Sequence, residues 1–371
     1  KALYRSKVWL GGLHLDFFAH LTVTFHSLKV GHLNAGEWNF CRKTVVCDIG
    51  IPREIVRQTL GNAQGHTERP ARVFRRNVCR LLTTVNFSTE EYGWSPLAKE
   101  DEDHKYTHGH ALILSGGSAR TGAARLAARG ALRIGAGVVT LGVPATAQME
   151  AAGHLTAVML QRAGTAEELQ QALQDTRINA LCLGPALGHE RARDLVPVAL
   201  AAERACVLDA DALSAYADDS EELFAMLHKD CVLTPHAGEF ARLFPDIAEK
   251  LAAPATVGPA YSKVDATREA AKRAGCVVLY KGADTVIAAP DGACSINAAL
   301  YERAAPWLAT AGAGDVLAGF ITGLLARGFS PMQAAETGAW LHVECARSFG
   351  AGLIAEDLPE ELPKVFKSLG V

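Results

Sequence analysis

A glycine-rich segment, T-A-G-A-G-D at residues 310–315, carries the strongest chemical signal in the sequence. It leads directly into an apolar helical pattern, V-L-A-G-F-I-T-G-L-L-A-R-G. Glycines let the backbone turn so that free N–H groups at a helix start converge on an anion, and the helix dipole adds to that attraction. We therefore predict that a phosphate group binds at this helix start.

Asp315 is the candidate catalytic residue of this segment. Its carboxylate repels a bound anion, so it is a poor ligand for phosphate itself. It is well placed, however, to accept a proton from a hydroxyl group that attacks a phosphoryl group. The alternative is an ordinary helix N-cap, a common role for aspartate. The glycine-rich segment before it favours catalysis.

Four other loop segments directly follow apolar runs. In an open parallel sheet, ligands bind outside the carboxyl ends of the strands. Each segment alone is typical of a turn that needs glycine for its backbone geometry. The four together favour a nucleotide-sized site, and they are residues 115–117, 184–188, 234–239 and 281–285.

Three side chains in these loops have both a functional and a structural interpretation. Lys281 either steers phosphate charge or is a solvated lysine at a strand end. His236 either contacts substrate or is a hydrogen-bonded loop histidine, and taken alone the second is favoured. Glu239 either helps to organise Mg²⁺ through water or occupies the first turn of a helix.

The elements that must position these loops alternate regularly from residue 104 onward. Strands separated by helices imply right-handed βαβ units and a mostly parallel sheet covered on both faces, so the fold class is α/β with three layers. An alanine-rich helix is predicted at residues 121–134, and a hairpin turns at P-D-G, residues 290–292. The predicted strands lie at residues 111–114, 137–143, 180–183, 206–209, 231–235 and 276–282.

The composition argues against two classes of binding partner, nucleic acid and anionic membranes. The chain of 371 residues is 49% hydrophobic and 21% charged with a net charge of -3, so it buries a full core but has no basic face for nucleic acid or an anionic membrane. No apolar run approaches the roughly 20 residues that span a bilayer, and the opening residues lack a clean signal-peptide core. Nine cysteines without C-x-x-C spacing favour a reducing, cytoplasmic setting.

The first hundred residues have a different character. Residues 1–60 contain L-T-V-T-F and V-V-C-D-I-G-I-P, which is too little for a domain. Residues 61–103 are rich in polar residues and glycine and weakly periodic, apart from a short apolar patch at 78–85, so we interpret them as mostly linker. The main domain is predicted at residues 104–371.

The ordered set of motifs resembles the ADP- or ATP-dependent NAD(P)H-hydrate dehydratases, a branch of the ribokinase-like superfamily. It includes G-H-A-L-I-L-S-G-G, L-G-P-A-L-G, L-D-A-D-A-L, L-T-P-H-A-G-E-F, Y-K-G-A-D-T and T-A-G-A-G-D-V-L-A-G. The resemblance implies a ribokinase-like three-layer αβα fold. The residues before position 60 resemble the end of an NAD(P)H-hydrate epimerase domain, but the D-I-P-S-G-type motif has no counterpart and His20 stands where aspartate is usual. We therefore expect no epimerase activity.

Carried over residue by residue, the resemblance implies two neighbouring sites. A hydrated-nicotinamide site is lined by Ala123, Gly188, His236 and Asp315. The phosphates of the adenine nucleotide lie near Gly314 and near a run of five residues: Lys281, Gly282, Ala283, Asp284 and Thr285. The family often has threonine or serine where Ala313 stands, and that change leaves a backbone anion hole intact.

The resemblance implies repair of (6S)-NADHX or (6S)-NADPHX to NADH or NADPH. Asp315 would take the proton of the ring hydroxyl as it attacks the terminal phosphoryl group, with Mg²⁺ and an anion hole of Ala313 and Gly314 stabilising the charge. With ADP as donor the product is AMP. The sequence leaves the choices between ADP and ATP, and between the two hydrates, open. The family also implies a homo-tetramer.

Two other functions fit the same residues. A kinase of the same superfamily that phosphorylates a small alcohol, such as a vitamin precursor, would use the same segment and sheet. A non-catalytic nucleotide-binding module would bind without turnover. Asp315 argues against the second, because a pure binder has little reason to place a carboxylate beside phosphate.

Overall fold

The computed structural model describes residues 79–82, 97–254 and 260–371, together with the backbone of four short strands nearer the N-terminus. In that region β1 (Val8–Leu10) pairs antiparallel with β2 (Leu13–Leu15). β3 (Thr22–Phe25) pairs in parallel with β4 (Thr44–Cys47), so the T-V-T-F part of the L-T-V-T-F segment forms a strand. The remaining predictions for residues 1–60 lie outside the described residues.

A single sheet of ten strands organises the rest of the described chain. Its strands are β5 (Arg80–Leu81), β6 (His110–Leu114), β7 (Val138–Val143), β8 (Met159–Arg162), β9 (Ile178–Leu183), β10 (Ala205–Leu208), β11 (Cys231–Leu233), β12 (Val277–Tyr280), β13 (Asp284–Ala288) and β14 (Cys294–Ala298). They lie in the order β5-β14-β13-β12-β11-β10-β9-β6-β7-β8. β13 runs antiparallel to both neighbours, and all other pairs are parallel, as the sequence predicts.

Helices cover both faces of the sheet. They are α1 (Gly122–Arg133), α2 (Gln148–Ala152), α3 (Ala166–Ala172), α4 (His189–Ala201), α5 (Asp211–Ser214), α6 (Ser220–Met226), α7 (Ala237–Leu243), α8 (Pro245–Ala252), α9 (Lys263–Ala274), α10 (Ala313–Ala326), α11 (Pro331–Phe349) and α12 (Asp357–Leu369). In the described part of the chain, three short 3₁₀ helices add to these, at Ala145–Ala147, Tyr301–Arg303 and Pro306–Leu308.

Each face of the sheet has its own hydrophobic core. Side chains alternate along β6, so Ala111 and Ile113 pack in the core with α1, α10, α11 and α12. Leu112 and Leu114 pack in the other core, with α4, α7, α8 and α9. The three-layer αβα arrangement predicted from the sequence is therefore confirmed.

The predicted strands and the hairpin are confirmed with shifts at their ends. The predicted strand at residues 231–235 ends at Leu233, because Thr234 and Pro235 already belong to the following loop. The strand β8 was not predicted, since three of its four residues are polar or exposed and show no apolar run. Within the predicted linker, β5 pairs with β14, and Leu82 and Leu97 are buried in the cores. Among the described helices, none combines the length and apolarity needed to cross a bilayer.

Candidate active site

The loops predicted from the sequence converge on one edge of the sheet, the edge formed by the carboxyl ends of its parallel strands. β6, β9, β10, β11 and β12 are mutually parallel, so the segments after their carboxyl ends share that edge. The antiparallel β13 begins at the same edge and β14 ends there. This arrangement places the predicted nicotinamide and phosphate loops beside the start of α10.

A left-handed glycine starts the helix that carries Asp315. Gly312 is the N-cap of α10 with φ 88°. Because glycine has no side chain, no side-chain oxygen caps this helix. A Cβ at this position would also lie 2.7 Å from Leu126 and 2.9 Å from Ala355, so packing as well as backbone conformation requires glycine. Asp315 lies in the first turn and is not the N-cap, which removes the structural alternative for this residue.

Lys281 is a buried member of a charge cluster at the same helix start. Its Nζ lies 2.7 Å from Oδ1 of Asp209 and 3.8 Å from Oε2 of Glu239, and the side chain is 18% exposed. A Cβ on Gly314 would lie 3.6 Å from this Nζ. Burial opposes the charge of Lys281, but Asp209, Glu239 and Asp315 outweigh it and raise its pKa above the usual value. Lys281 is therefore not a solvated strand-end lysine.

The same charge cluster changes the pKa of the Asp315 carboxyl group. Burial is the largest cause that raises the pKa of its carboxyl group, and repulsion from Asp209 and Asp211 adds to it, while Lys281 acts in the opposite direction. The resulting pKa is about 6. A carboxylate with this pKa is ionised near neutral pH and is a stronger proton acceptor than an ordinary aspartate.

His236 and Glu239 form a capping box at the start of α7. Nδ1 of His236 accepts hydrogen bonds from the N–H groups of Gly238 and Glu239, and Oε2 of Glu239 accepts one from the His236 N–H at 2.8 Å. The imidazole remains 54% exposed, whereas Glu239 is buried. The loop interpretation of His236 and the first-turn interpretation of Glu239 both describe what these residues do locally.

The predicted phosphate loop is closed by its own polar groups. Asp284 is paired with Nζ of Lys263 at 2.8 Å, which neutralises a carboxylate that would otherwise repel phosphate. The hydroxyl of Thr285 donates to the carbonyl of Gly282 at 2.8 Å. The loop therefore has a fixed backbone, and the Asp284 side chain is occupied by Lys263.

Gly188 and Ala123 occupy helix starts at the same edge. Gly188 is the N-cap of α4 with φ 87°, and its N–H donates to Oδ2 of Asp211 at 2.8 Å. Open space surrounds the position that its Cβ would fill. Ala123, in the first turn of α1, is partly exposed. Both positions leave room for a ligand close to the backbone.

A cavity of about 660 Å³ opens beside the phosphate loop. Its wall includes Lys281, Gly282, Ala283 and Thr285 of that loop, and Ala313 and Gly314 of α10. Most of the other lining residues are apolar, among them Leu300, Pro306, Leu308 and Leu317. A mainly apolar cavity of this size with a few polar groups suits a nucleotide.

Sequence reasoning missed Asp209, Asp211 and His342 as site residues. The two aspartates directly follow β10, so the rule that selected the other loops would also have found them. His342 lies in the middle of α11, bonds to the carbonyl of Ala313 and lines the cavity. No local sequence signal distinguishes it from a core histidine.

The carboxylates at this edge suit a metal ion that is also bound by the phosphates of a nucleotide. Within the described ranges, no group of three or more histidine, cysteine, aspartate or glutamate residues is arranged to hold a metal. Mg²⁺ typically keeps several waters and binds one or two carboxylates plus substrate phosphates. Asp209 and Glu239, both beside Lys281, are the carboxylates that fit such an ion.

Comparison with known proteins gives consistent relatives. The bifunctional NAD(P)H-hydrate repair enzyme Nnr of Moorella thermoacetica is 36% identical over 366 residues, which covers 94% of this chain but 62% of that protein. The ADP-dependent (S)-NAD(P)H-hydrate dehydratase of Bacillus subtilis is 31% identical over 290 residues, covering 76% of this chain and 98% of that protein. The chain thus spans under two thirds of the bifunctional relative's length.

Solved structures agree with the sequence relatives. The ADP/ATP-dependent NAD(P)H-hydrate dehydratase from Bacillus subtilis, co-crystallised with ATP/Mg²⁺, superposes with a TM-score of 0.58 at 29% identity, over 73% of this chain and 94% of that one. A ribokinase-like superfamily protein from Enterococcus faecalis V583 gives a TM-score of 0.62 at 20% identity, over 78% of this chain and 96% of that one, and shows the fold alone.

A family model described as NAD(P)H-hydrate dehydratase matches residues 111–367, which include every loop of the site described above. The resemblance predicted from the motifs is therefore confirmed, and the chain belongs to the NAD(P)H-hydrate dehydratase family, with a ribokinase-like fold.

Proposed function

We propose that this chain dehydrates (6S)-NADHX and (6S)-NADPHX to NADH and NADPH at the expense of an adenine nucleotide. The observation that carries this proposal is Asp315, a carboxyl group with a pKa of about 6 beside Lys281 at the start of α10. The adjoining cavity of about 660 Å³ provides the nucleotide site. The names of the relatives from Moorella and Bacillus support the same substrate class.

The chemistry begins with transfer of the terminal phosphoryl group. The ring hydroxyl of the hydrate attacks phosphorus, its proton passes to Asp315, and the bond to the nucleotide breaks, which releases AMP from ADP or ADP from ATP. Lys281 and the N–H groups of Ala313 and Gly314 stabilise the charge on the transferred group. Mg²⁺, held mainly by phosphates and water near Glu239 and Asp209, would supply further charge neutralisation when bound.

Loss of the new phosphate ester then restores the cofactor. Phosphate is a far better leaving group than hydroxide, and the electrons of the ring nitrogen assist its departure. A proton is lost from the neighbouring ring carbon as the double bond forms. Ala123, Gly188 and His236, at the edge beside Asp315, are the residues proposed to hold the hydrated ring.

The wider proposal includes the remaining expectations from the sequence. The main domain is residues 104–371, and an epimerase-like remnant of residues 1–60 precedes a linker of residues 61–103, although β5 of that linker pairs with the sheet. We propose a homo-tetramer that works in the cytoplasm. Free thiols at all seven cysteines of the described residues support a reducing setting.

The test mixes the protein with hydrated NADH, Mg²⁺ and either ADP or ATP. Recovery of the dihydronicotinamide absorbance together with released phosphate is the expected result, and the nucleotide that supports it identifies the donor. Asp315→Ala should reduce turnover by roughly a thousandfold or more while nucleotide still binds. Near-normal turnover in that variant contradicts the role of Asp315. A stable phosphorylated alcohol product would instead identify a small-alcohol kinase, and binding without any turnover would identify a non-catalytic module.

A further inference from the structure

The start of α10 lacks the side-chain cap that usually fixes a helix terminus. Its N-cap is Gly312, and the N–H of Ala313 makes only a long contact, 3.4 Å, with the carbonyl of Thr310. By comparison, α11 is capped by Ser330, whose side chain forms a capping box with Gln333. Because anion holes depend on backbone groups held in advance, something other than a cap must fix this turn.

His342 contacts that turn from the neighbouring helix. It lies in α11, is 8% exposed, and its Nε2 is 2.8 Å from the carbonyl oxygen of Ala313. The ring meets Phe320 of α10 edge-on, with the ring centroids 6.2 Å apart and the planes at 83°. His342 also lines the cavity together with Gly314 and Lys281. It therefore lies between the core and the site.

The chemistry of the pair defines the state of the imidazole. A carbonyl oxygen only accepts hydrogen bonds, so Nε2 of His342 carries the proton and donates. Burial is the main cause that lowers the pKa of His342, to about 4, and Lys281 lowers it further. The ring is accordingly neutral over the range in which Asp315 is ionised. It holds the turn without adding a charge that would compete for the phosphate or for Asp315.

We propose that His342 is a positioning residue, whose Nε2–H fixes the Ala313 carbonyl and thereby aims the N–H groups of the first turn of α10 at the transferred phosphoryl group. This role rests on the proposed function. In it, His342 acts through the carbonyl of Ala313 and not as a group that takes part in the chemistry. Its loss should affect the transition state more than nucleotide binding, because a small misplacement of a catalytic group reduces rate steeply.

Two amide variants separate the hydrogen bond from the general effect of changing a buried ring. In His342→Gln the amide nitrogen can reach the position of Nε2, whereas in His342→Asn the amide is too short to reach Ala313. We expect His342→Asn to lower kcat by roughly ten- to a hundredfold, with the Kd for ADP changed by less than about threefold. We expect His342→Gln to recover most of kcat.

His110 provides a matched control. It is also buried, with Nε2 2.8 Å from the hydroxyl of Thr140, but it begins β6 at the opposite edge of the sheet. His110→Asn should lower the Tm by an amount similar to His342→Asn while leaving kcat of the folded fraction unchanged. Equal losses of kcat in the Asn and Gln variants of His342, or an equal loss in His110→Asn, would overturn the proposal, as would wild-type kcat in His342→Asn.

Hydrogen exchange gives a readout that does not depend on the reaction. In the wild-type protein, a peptide covering residues 310–317 should be protected, and its exchange should rise in His342→Asn but not in His342→Gln. Unchanged exchange in His342→Asn contradicts the proposed contact.

If that variant does not fold, ¹⁵N spectra of the histidines in the wild-type protein test the proposal. His342 should be a neutral ring with its proton on Nε2 at pH 6, and a ring protonated at Nδ1 alone contradicts the proposal. If the wild-type protein does not restore NADH, the proposed function is contradicted. The hydrogen-exchange result still tests the contact between His342 and Ala313 in that case.

Discussion

Asp315 combines two properties that oppose each other. Its partial burial beside Asp209 makes it a stronger base, and the same surroundings penalise its charge in the folded state. Catalytic groups are commonly tuned in this way, at a cost in stability. Lys281 limits that cost, because its ammonium group lies in the same cluster. The balance between these charges can be measured through pH.

The first prediction concerns the pH dependence of turnover. Because only the ionised carboxylate of Asp315 accepts the proton, kcat/KM should fall about tenfold per pH unit below its pKa of about 6 in the ligand-free protein. Asp209→Asn removes a repelling charge, so the acid limb should move to lower pH. A pH profile of kcat/KM, which reports the ligand-free protein, measures both. An acid limb that moves upward in Asp209→Asn contradicts the assignment.

The second prediction concerns stability. The folded-state pKa of Asp315 is raised, so the stability it contributes is present at low pH and is lost as pH rises through about 6. Asp315→Asn should therefore be more stable than the wild type at pH 8, by up to about 3 kcal/mol, and the difference should be much smaller at pH 4. Denaturant titrations at the two pH values measure it. The exposed Asp194 serves as control, and Asp194→Asn should show no such pH-dependent gain.

The residues of the site differ in how far sequence reasoning could reach them. Lys281, His236 and Asp315 follow strands or glycines, and the rule about carboxyl ends identifies them. The ion pair of Lys281 with Asp209 joins residues far apart in the chain, so no local sequence pattern predicts it. His342 acts through a neighbouring helix and has the pattern of a core residue. Local motifs thus predict the loops, whereas contacts between elements need the structure.

The position of Asp315 depends on a close contact between α1 and α10. Gly130, Gly319 and Gly323 face this contact, and a Cβ on Gly319 would collide with the carbonyl of Ala127. Backbones that approach this closely resist even one extra methyl group. The helix that carries the proposed catalytic carboxylate is therefore held along its length as well as at its first turn.

The third prediction tests this contact. Gly319→Ala should destabilise the protein by about 3 kcal/mol, and the displaced helix should lower kcat in the folded fraction. Gly153→Ala is the matched control, because its Cβ would meet only ordinary contacts at 3.6 Å or more. Urea unfolding and kcat, measured on both variants, give the comparison. A Gly319→Ala protein as stable as Gly153→Ala would show that the helices can separate without cost.

Secondary-structure elements were predictable where burial left a pattern. The central strands β6, β9, β10 and β11 are buried on both faces, so they appear as apolar runs. The edge strand β8 is mostly exposed and carries no such run. β5 is only two residues long and lies in the short apolar patch at residues 78–85, which is too short to show a strand period. The middle of a parallel sheet is thus easier to predict than its edges.

At the scale of the whole molecule, β5 adds a strand from before residue 104 to the sheet that carries the site. Cys79 immediately precedes β5, and its Sγ lies 3.5 Å from Sγ of Cys294 at the start of β14. The hydrogen bond that the two thiols share is the main cause that lowers the pKa of Cys79, and nearby arginines add to it. A thiol with a lowered pKa is more reactive toward disulfides.

The fourth prediction follows from this pair. Incubation with oxidised glutathione should link Cys79 to Cys294, with two molecules of reduced glutathione released for each bond formed. The link joins residues separated by 215 positions and should stabilise the protein by about 3 kcal/mol. Peptide mapping and the Tm before and after dithiothreitol measure the effect. Cys79→Ser should show no change, and an equal rise in Tm in that variant would disprove the link.

The pairing of β5 with β14 also affects how the polypeptide can be shortened for study. A version that starts at residue 104 keeps every residue of the proposed site but loses the strand that hydrogen-bonds to Ser295 and Ile296. The backbone N–H and C=O groups along that side of β14 would then be free to pair with a second molecule. Aggregation of such a shortened protein would therefore reflect the uncovered sheet edge and the loss of Leu82 and Leu97 from the core, and not a defect in the proposed catalytic residues. A version that starts before residue 79 retains its own edge protection.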